Sequence, residues 1–231
     1  MFDISPTEWT AILLSLRVAV IATLVATPFG IALAWLLARR DFWGKSLLDA
    51  AVHLPLVLPP VVTGYLLLLT FGKRGLVGGW LAEHLGIVFA FRWTGAALAC
   101  GVMSFPLLVR PIRLSIEAVD RRLEQAADTL GAAPWRVFAT VTLPLALPGV
   151  LAGVVLGFAK AIGEFGATIT FVSNIPGETQ TISSAIYSLI QTPDGDTAAA
   201  RLVIVSVVLA VGALIAAEVF ARRATARLHG Q

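Results

Sequence analysis

The sequence is short of nearly everything a soluble enzyme draws on. Only 13% of its 231 residues are charged, one is cysteine and three are histidine. The lone Cys100 lies in an apolar run, which excludes a disulfide framework and leaves redox chemistry without a partner. His53, His84 and His229 fall on different segments, so no metal-ligand spacing exists and no metal site is assigned. No paired carboxylates and no Ser/His/Asp arrangement stand out, so no catalytic residue is assigned either. Gly44-Lys45-Ser46 has the ending of a phosphate-binding loop, but the earlier glycine of that motif would fall at Arg39. ATP hydrolysis by this chain is therefore not expected. No basic residue precedes Arg17, and the first apolar stretch is too long for a signal-peptide core, so no signal peptide is expected.

What the chain has is apolar length. It is 58% hydrophobic with a mean hydropathy of +0.87, where a soluble domain is nearer half apolar and about a quarter charged. The expectation is an all-α integral membrane protein. The net charge of +3 does not point to nucleic acid, because the basic residues bracket apolar spans. The expected surroundings are lipid.

Crossing ~30 Å of hydrocarbon takes about 20 helical residues. Five spans are expected at about 10–38, 50–71, 93–109, 145–170 and 198–220, in one transmembrane domain covering 1–231. In the first, Pro28 and Gly30 predict a kink, and Arg17 is near enough to an end to snorkel. In the second, Pro55, Pro59 and Pro60 cannot all sit in regular helix. Irregular backbone at membrane depth must face protein or a wet cavity, which makes Pro59 and Pro60 pathway candidates. A glycine-rich loop at 72–92 surrounds a short helix at Trp80–Leu85.

In the fourth span, Lys160 and Glu164 are four apart and share a helix face. Such residues are costly in lipid and should face protein or water. They read as a mutual ion pair that locks packing; the alternative is that Lys160 offsets an anion's charge beside a conduit. Gly166 and Thr168 join them as intramembrane pathway candidates, with the Thr168, Thr170 and Ser173 hydroxyls as gentler contacts. Residues 168–191 are polar and mixed, and 192–197 read as a turn.

Charge orients the spans. Arg39, Arg40 and Lys45, then Arg110, Arg113, Arg121, Arg122 and Arg136, then Arg222, Arg223 and Arg227 all fall on one side. The other side has Lys73, Arg74 and Arg92, together with Glu178, Asp194 and Asp196. The positive-inside rule puts the N-terminus outside and the C-terminus in the cytoplasm. The loop at 110–144 is then cytoplasmic.

That loop holds the most informative stretch. Glu124, Gln125, Ala126 and Ala127 lead through good helix formers to Gly131, which reads as a helix stop needing φ > 0. Pro134, followed by Trp135, suits the first turn of a second helix, and Leu143-Pro144 follows. The expectation is helix, tight turn, helix.

This stretch resembles the cytoplasmic loop with which permease subunits of binding-protein-dependent ABC transporters dock on their ATPase. That pattern is Glu-Ala-Ala, three residues, Gly, nine residues, an aliphatic, one residue, Leu-Pro. Gln125-Ala126-Ala127, Gly131, Val141 and Leu143-Pro144 fall at those spacings, with Gln125 in the acidic place and Glu124 one residue earlier. Gly163-Glu164-Phe165-Gly166-Ala167, the Asn174–Thr181 run NIPGETQT and Ala185-Ile186-Tyr187 are similar to the molybdate permeases of bacteria, as are the LPLVLPPVVTG run at 54–64 and ARRDFWGKS at 38–46.

The resemblance implies a subunit of the bacterial inner membrane that binds no cofactor of its own. Its partners would be a second copy of itself, two ABC ATPase subunits that bind ATP and Mg, and an external molybdate-binding protein. The conduit would lie between the two copies. A sulfate or thiosulfate permease is the alternative within the class, since these tetrahedral dianions differ mainly in size. An ion-coupled carrier or membrane-embedded enzyme is the alternative outside it.

Overall fold

A computed structural model describes residues 4–228, with side chains described through Ala216 and at Val219. Every regular element among the described residues is helical. The basic tail residues Arg222, Arg223 and Arg227 fall on the last helix, but their side chains lie outside the described ones, as does His229 altogether.

The first helix, α1, spans Pro6–Arg39. Ser5 and Glu8 cap it reciprocally, with the Ser5 amide donating to Glu8 Oε2 at 2.6 Å and the Glu8 amide to Ser5 Oγ at 3.3 Å. At 34 residues it is about 50 Å long, more than the hydrocarbon needs. Two helices follow, α2 at Lys45–Val57 and α3 at Pro60–Phe71, meeting at a 115° bend. Pro55 is accommodated inside α2, so the irregular backbone is confined to Leu58-Pro59. A short α4, Leu76–Leu85, is longer than the helix expected in that loop.

The hub is α5, Trp93–Ala118. It runs nine residues beyond the expected end of the third span near Val109, so the non-helical connection begins at Val119 rather than at 110. Arg110, Arg113 and Glu117 are charged, but Ile112 and Ile116 between them are fully buried, and burying that face keeps the segment helical. Pro106 and Pro111 lie within it.

Then come α6 (Arg121–Thr129), α7 (Pro134–Val137), a wide π-helical turn at Phe138–Thr142, α8 (Leu143–Leu145) and α9 (Leu147–Ile162). The expected fourth span is not one rod to Thr170. It stops at Ile162, and a separate α10 covers Gly166–Val172. Helix α11, Ile182–Leu189, occupies the segment read as polar and mixed, and α12, Asp196–Leu228, closes the chain.

Contacts fix the direction of the four longest helices. The Arg39 Nη2 at the end of α1 donates to Val119 O just past the end of α5, and Arg17 lies 3.8 Å from the Trp93 ring centroid near their beginnings. So α1 and α5 run the same way. Arg201 on α12 pairs with Glu8 at 2.9 Å, which aligns α12 with them. α9 runs back, packed on α5 through Gly149, Gly153 and Gly157. A Cβ on Gly149 would lie 2.2 Å from the Ser115 Cβ, and one on Gly153 would lie 2.5 Å from the Leu108 carbonyl oxygen. Small residues every fourth position let two membrane helices approach to backbone contact.

Among the described residues, the buried ones form three clusters. One gathers Val18, Cys100, Met103, Ala161 and Phe171 toward the α1 and α5 N-termini; a second gathers Ala34, Leu108, Ile112, Ile116 and Val150 toward their C-termini. The third, with Ile12, Ile182 and Leu202, seats α11 between α1 and α12. The exposed face of α12 is a continuous apolar one, including Val203, Val207, Val208, Leu214 and Ile215. Among the described residues, three helices are long and apolar enough to cross a membrane, or up to five if each bent pair counts as one.

Candidate functional site

Two of the polar clusters lie at breaks in the helical pattern. The first is the connection between α5 and α9. Asp120 caps α6, its Oδ1 accepting the Arg122 amide at 2.9 Å. Past Thr129 the chain turns at Gly131, whose φ is +82°, and the Ala132 amide reaches back to Ala127 O at 3.2 Å. Pro134 begins α7. The segment Pro134–Leu145 meets α9 at 71°, so Leu143-Pro144 sits just before that bend.

The outer face here is Gln125, Ala126, Gly131, Pro134, Trp135 and Pro144, all exposed, with Ala127 and Leu143 half-buried. Leu130 and Trp135 are 88% and 68% exposed, and Arg136 lies 5.4 Å from the Trp135 ring centroid. Large apolar side chains beside arginines, on a polar helical loop, make a surface suited to a protein partner.

Glu124 points the other way. Its Oε1 accepts Arg39 Nε at 3.1 Å, Arg39 Nη2 at 3.0 Å and the Thr142 hydroxyl at 2.6 Å. The Glu124 carboxylate faces the spans, and Gln125 faces out. Sequence reasoning named Glu124 but neither Arg39 nor Thr142 as its partners. Arg39 read as one cation in a basic loop, and no local signal links residues 85 apart.

The second region is the gap between α9 and α10. Glu164 sits in it with its side chain 1% exposed. Lys160 Nζ donates to Glu164 Oε2 at 2.5 Å, and the Ala167 amide donates to Oε1 at 3.0 Å. The two are an ion pair, and the same carboxylate satisfies a free amide at the start of α10. The structure brings the expected Pro60 and Gly166 together: a Cβ on Gly166 would lie 2.7 Å from the Pro60 Cβ. A Cβ on Gly64 would lie 2.5 Å from Ala167 O, so α3 rests directly on α10. Pro59, Pro60 and Gly163 are exposed beside this contact, and Lys160 is partly so.

Thr168 does not fit the role expected of it. It is 2% exposed and its hydroxyl donates to Phe165 O at 2.9 Å, a bond within its own helix end. Thr170 likewise donates to Gly166 O, while Ser173 is exposed with φ +65°. His53 is engaged locally, its Nδ1 donating to the Asp49 carbonyl oxygen at 2.8 Å.

Residues 26–226 match the family described as the binding-protein-dependent transport system inner membrane component. The molybdenum transport system permease protein ModB of Escherichia coli (strain K12) is 63% identical over 215 residues, 93% of this chain and 94% of that protein. The sulfate transport system permease protein CysT of the same organism is 37% identical over 211 residues, 91% of this chain and 75% of its own length. Among solved structures, a bacterial ABC transporter involved in import of the acidic polysaccharide alginate superposes with a TM-score of 0.74 at 21% identity, covering 95% of this chain and 80% of that one. At that identity the likeness is one of fold.

Proposed function

This chain belongs to the family of binding-protein-dependent transport system inner membrane components, and we propose that it is the permease subunit of an ATP-driven importer of molybdate or tungstate. The observation that carries the substrate is the near-full-length likeness to the molybdenum permease, well above that to the sulfate permease. The permease assignment is supported by the helical architecture shared with ABC importer subunits.

Two copies of the chain form the conduit between them, with two ABC ATPase subunits on the cytoplasmic side and an external binding protein delivering the oxyanion. ATP and Mg belong to the ATPase. The exposed face of Gln125, Ala126, Gly131, Pro134 and Trp135 docks on it. The bracketing of the spans by basic residues supports an outside N-terminus and a cytoplasmic C-terminus.

When ATP closes the ATPase dimer, α6 and α7 are carried with it, and the spans rock between inward-facing and outward-facing states. The conduit wall runs past Pro59, Pro60 and Gly166, where irregular backbone and close packing meet. Lys160 borders the wall but is neutralised by Glu164. A bare cation there would hold a dianion too tightly to release it; a paired one lets it pass.

The test is uptake of labelled molybdate into proteoliposomes holding this chain, its ATPase and its binding protein, with sulfate in excess as competitor. Uptake that needs ATP and survives sulfate is expected. Uptake abolished by sulfate would reassign the chain to sulfate transport. Uptake without ATP would overturn the importer reading.

A further inference from the structure

We propose that Glu124 is the positioning residue that carries the motion of α6 into the membrane, acting through Arg39 and Thr142; the proposal rests on the importer reading above. The geometry begins with what α6 lacks. Not one of its residues is buried, so it has no hydrophobic grip on the spans. It is joined to α5 by Val119-Asp120 and to α7 by the turn at Leu130–Ala133, both non-helical. A push on such a helix would be absorbed at its two ends unless something else held it.

Glu124 is that hold. It lies in the first turn of α6, and its Oε1 collects Arg39 Nε, Arg39 Nη2 and Thr142 Oγ1 at 3.1, 3.0 and 2.6 Å. Arg39 is in the last turn of α1, and its Nη2 also donates to Val119 O at 3.1 Å. Thr142 ends the π-helical turn that leads into α8 and α9. One carboxylate therefore ties α6 to α1, to the end of α5 and to the approach to α9.

The joint is shielded. The Arg39 and Glu124 side chains are 9% and 17% exposed, and Thr142 is buried. Charge-assisted bonds in such a setting are stiffer than the surface pair Lys45–Asp41, where the aspartate is almost wholly in water. Trp35 and Phe138 pack edge to face at 6.0 Å alongside, adding an apolar wall but no link to α6 itself. Displacing α6 thus displaces the ends of three spans. Cutting the joint leaves α6 able to dock and move with its ATPase while the spans stay behind.

The experiment is a double-mutant cycle in proteoliposomes holding the full complex, read as molybdate imported per ATP hydrolysed. Glu124→Ala and Arg39→Ala should each lower that ratio about tenfold, the scale of a buried partner lost, while hydrolysis and ATPase co-purification persist. The double variant should lose no more than the worse single, because both changes cut one joint. Thr142→Val should lower the ratio less, about threefold, because Arg39 still holds Glu124 when this one bond to the carboxylate is lost. An unchanged ratio in Glu124→Ala, or losses that multiply in the double variant, would overturn the proposal. Where Glu124→Ala does not assemble, Glu124→Gln keeps the side chain's shape and an acceptor oxygen. A wild-type ratio in both Glu124→Gln and Thr142→Val would assign Glu124 to folding alone. A wild-type complex with no ATP-driven uptake would instead overturn the importer reading.

Discussion

Glu124 and Glu164 are built alike and hold different things. Each is a shielded carboxylate with one basic partner and one further donor. Glu164 takes both donors from its own neighbourhood, four residues before and three after. It shapes one segment, closing the gap where α9 ends and α10 begins. Glu124 takes its donors from 85 and 18 residues away. It joins α6 to segments far from it in the chain. The lesson is that the same chemistry serves as a bracket when its partners are local and as a linkage when they are distant. The two should fail differently, the bracket in stability and the linkage in coupling.

The largest effect on stability should come from breaking the bracket. Glu164→Ala leaves Lys160 half-buried without its counter-charge and a free amide at the start of α10, and should cost about 3 kcal/mol. Thermal melting of the purified chain in detergent would read it. Lys160→Met combined with Glu164→Gln should be milder than Glu164→Ala alone, since no unpaired charge remains. A double variant as unstable as the single one would mean that the pair is not what pins the gap.

Gly153→Leu comes next. Its Cβ would lie 2.5 Å from Leu108 O, so α9 must lift off α5, at a cost of about 1–3 kcal/mol. This separates the gap from the packing beneath it: melting should fall while the Lys160–Glu164 pair is left in place. Unchanged melting would show that α5 and α9 do not touch as described.

Gly131→Val sharpens the other half of the comparison. The site is open, but φ +82° is strained for a β-branched residue by about 1–2 kcal/mol. Uptake should be lost with membrane insertion intact, and Gly131→Asn, which tolerates that conformation, should keep it. Normal uptake by Gly131→Val would remove the turn from the coupling machinery.

The smallest effect belongs to a surface pair. The hydrogen bond and nearby charge of Lys45 hold the Asp41 carboxyl below its usual range. Its contribution is present above the ordinary aspartate pKa and fades as pH falls through the lowered one. Asp41→Asn should cost little at neutral pH, and that small loss should vanish on acidification. A large loss at neutral pH would show that loop one is held by more than this pair.

Much of the architecture was legible because hydrocarbon allows so few solutions. The apolar runs, the prolines before α3, the glycine turn after α6 and the Leu143-Pro144 position all read from local chemistry. The α5 overrun did not, since Arg110, Arg113 and Glu117 look like loop until Ile112 and Ile116 are seen to be buried between them. The gap at 163–165 hid inside an apolar run, because Glu164 and Lys160 at helical spacing suggest a continuous helix. The glycines at 149, 153 and 157 were a readable signal for helix contact that hydropathy alone passes over. The candidate site was legible on its outer face, whose residues form a pattern in sequence. Its inner face was not, because the Arg39–Glu124 bond exists only once the chain has folded back on itself.

The most direct test of the difference between bracket and linkage sets Glu124→Gln beside the double variant Lys160→Met/Glu164→Gln, which leaves no bare cation at the conduit, in the same proteoliposomes, with melting temperature and molybdate imported per ATP measured for both. The account predicts that the Lys160→Met/Glu164→Gln double melts lower and imports its normal amount per ATP. Glu124→Gln should melt near wild type and import less. Equal loss of coupling in both, or loss in the double variant alone, would contradict it.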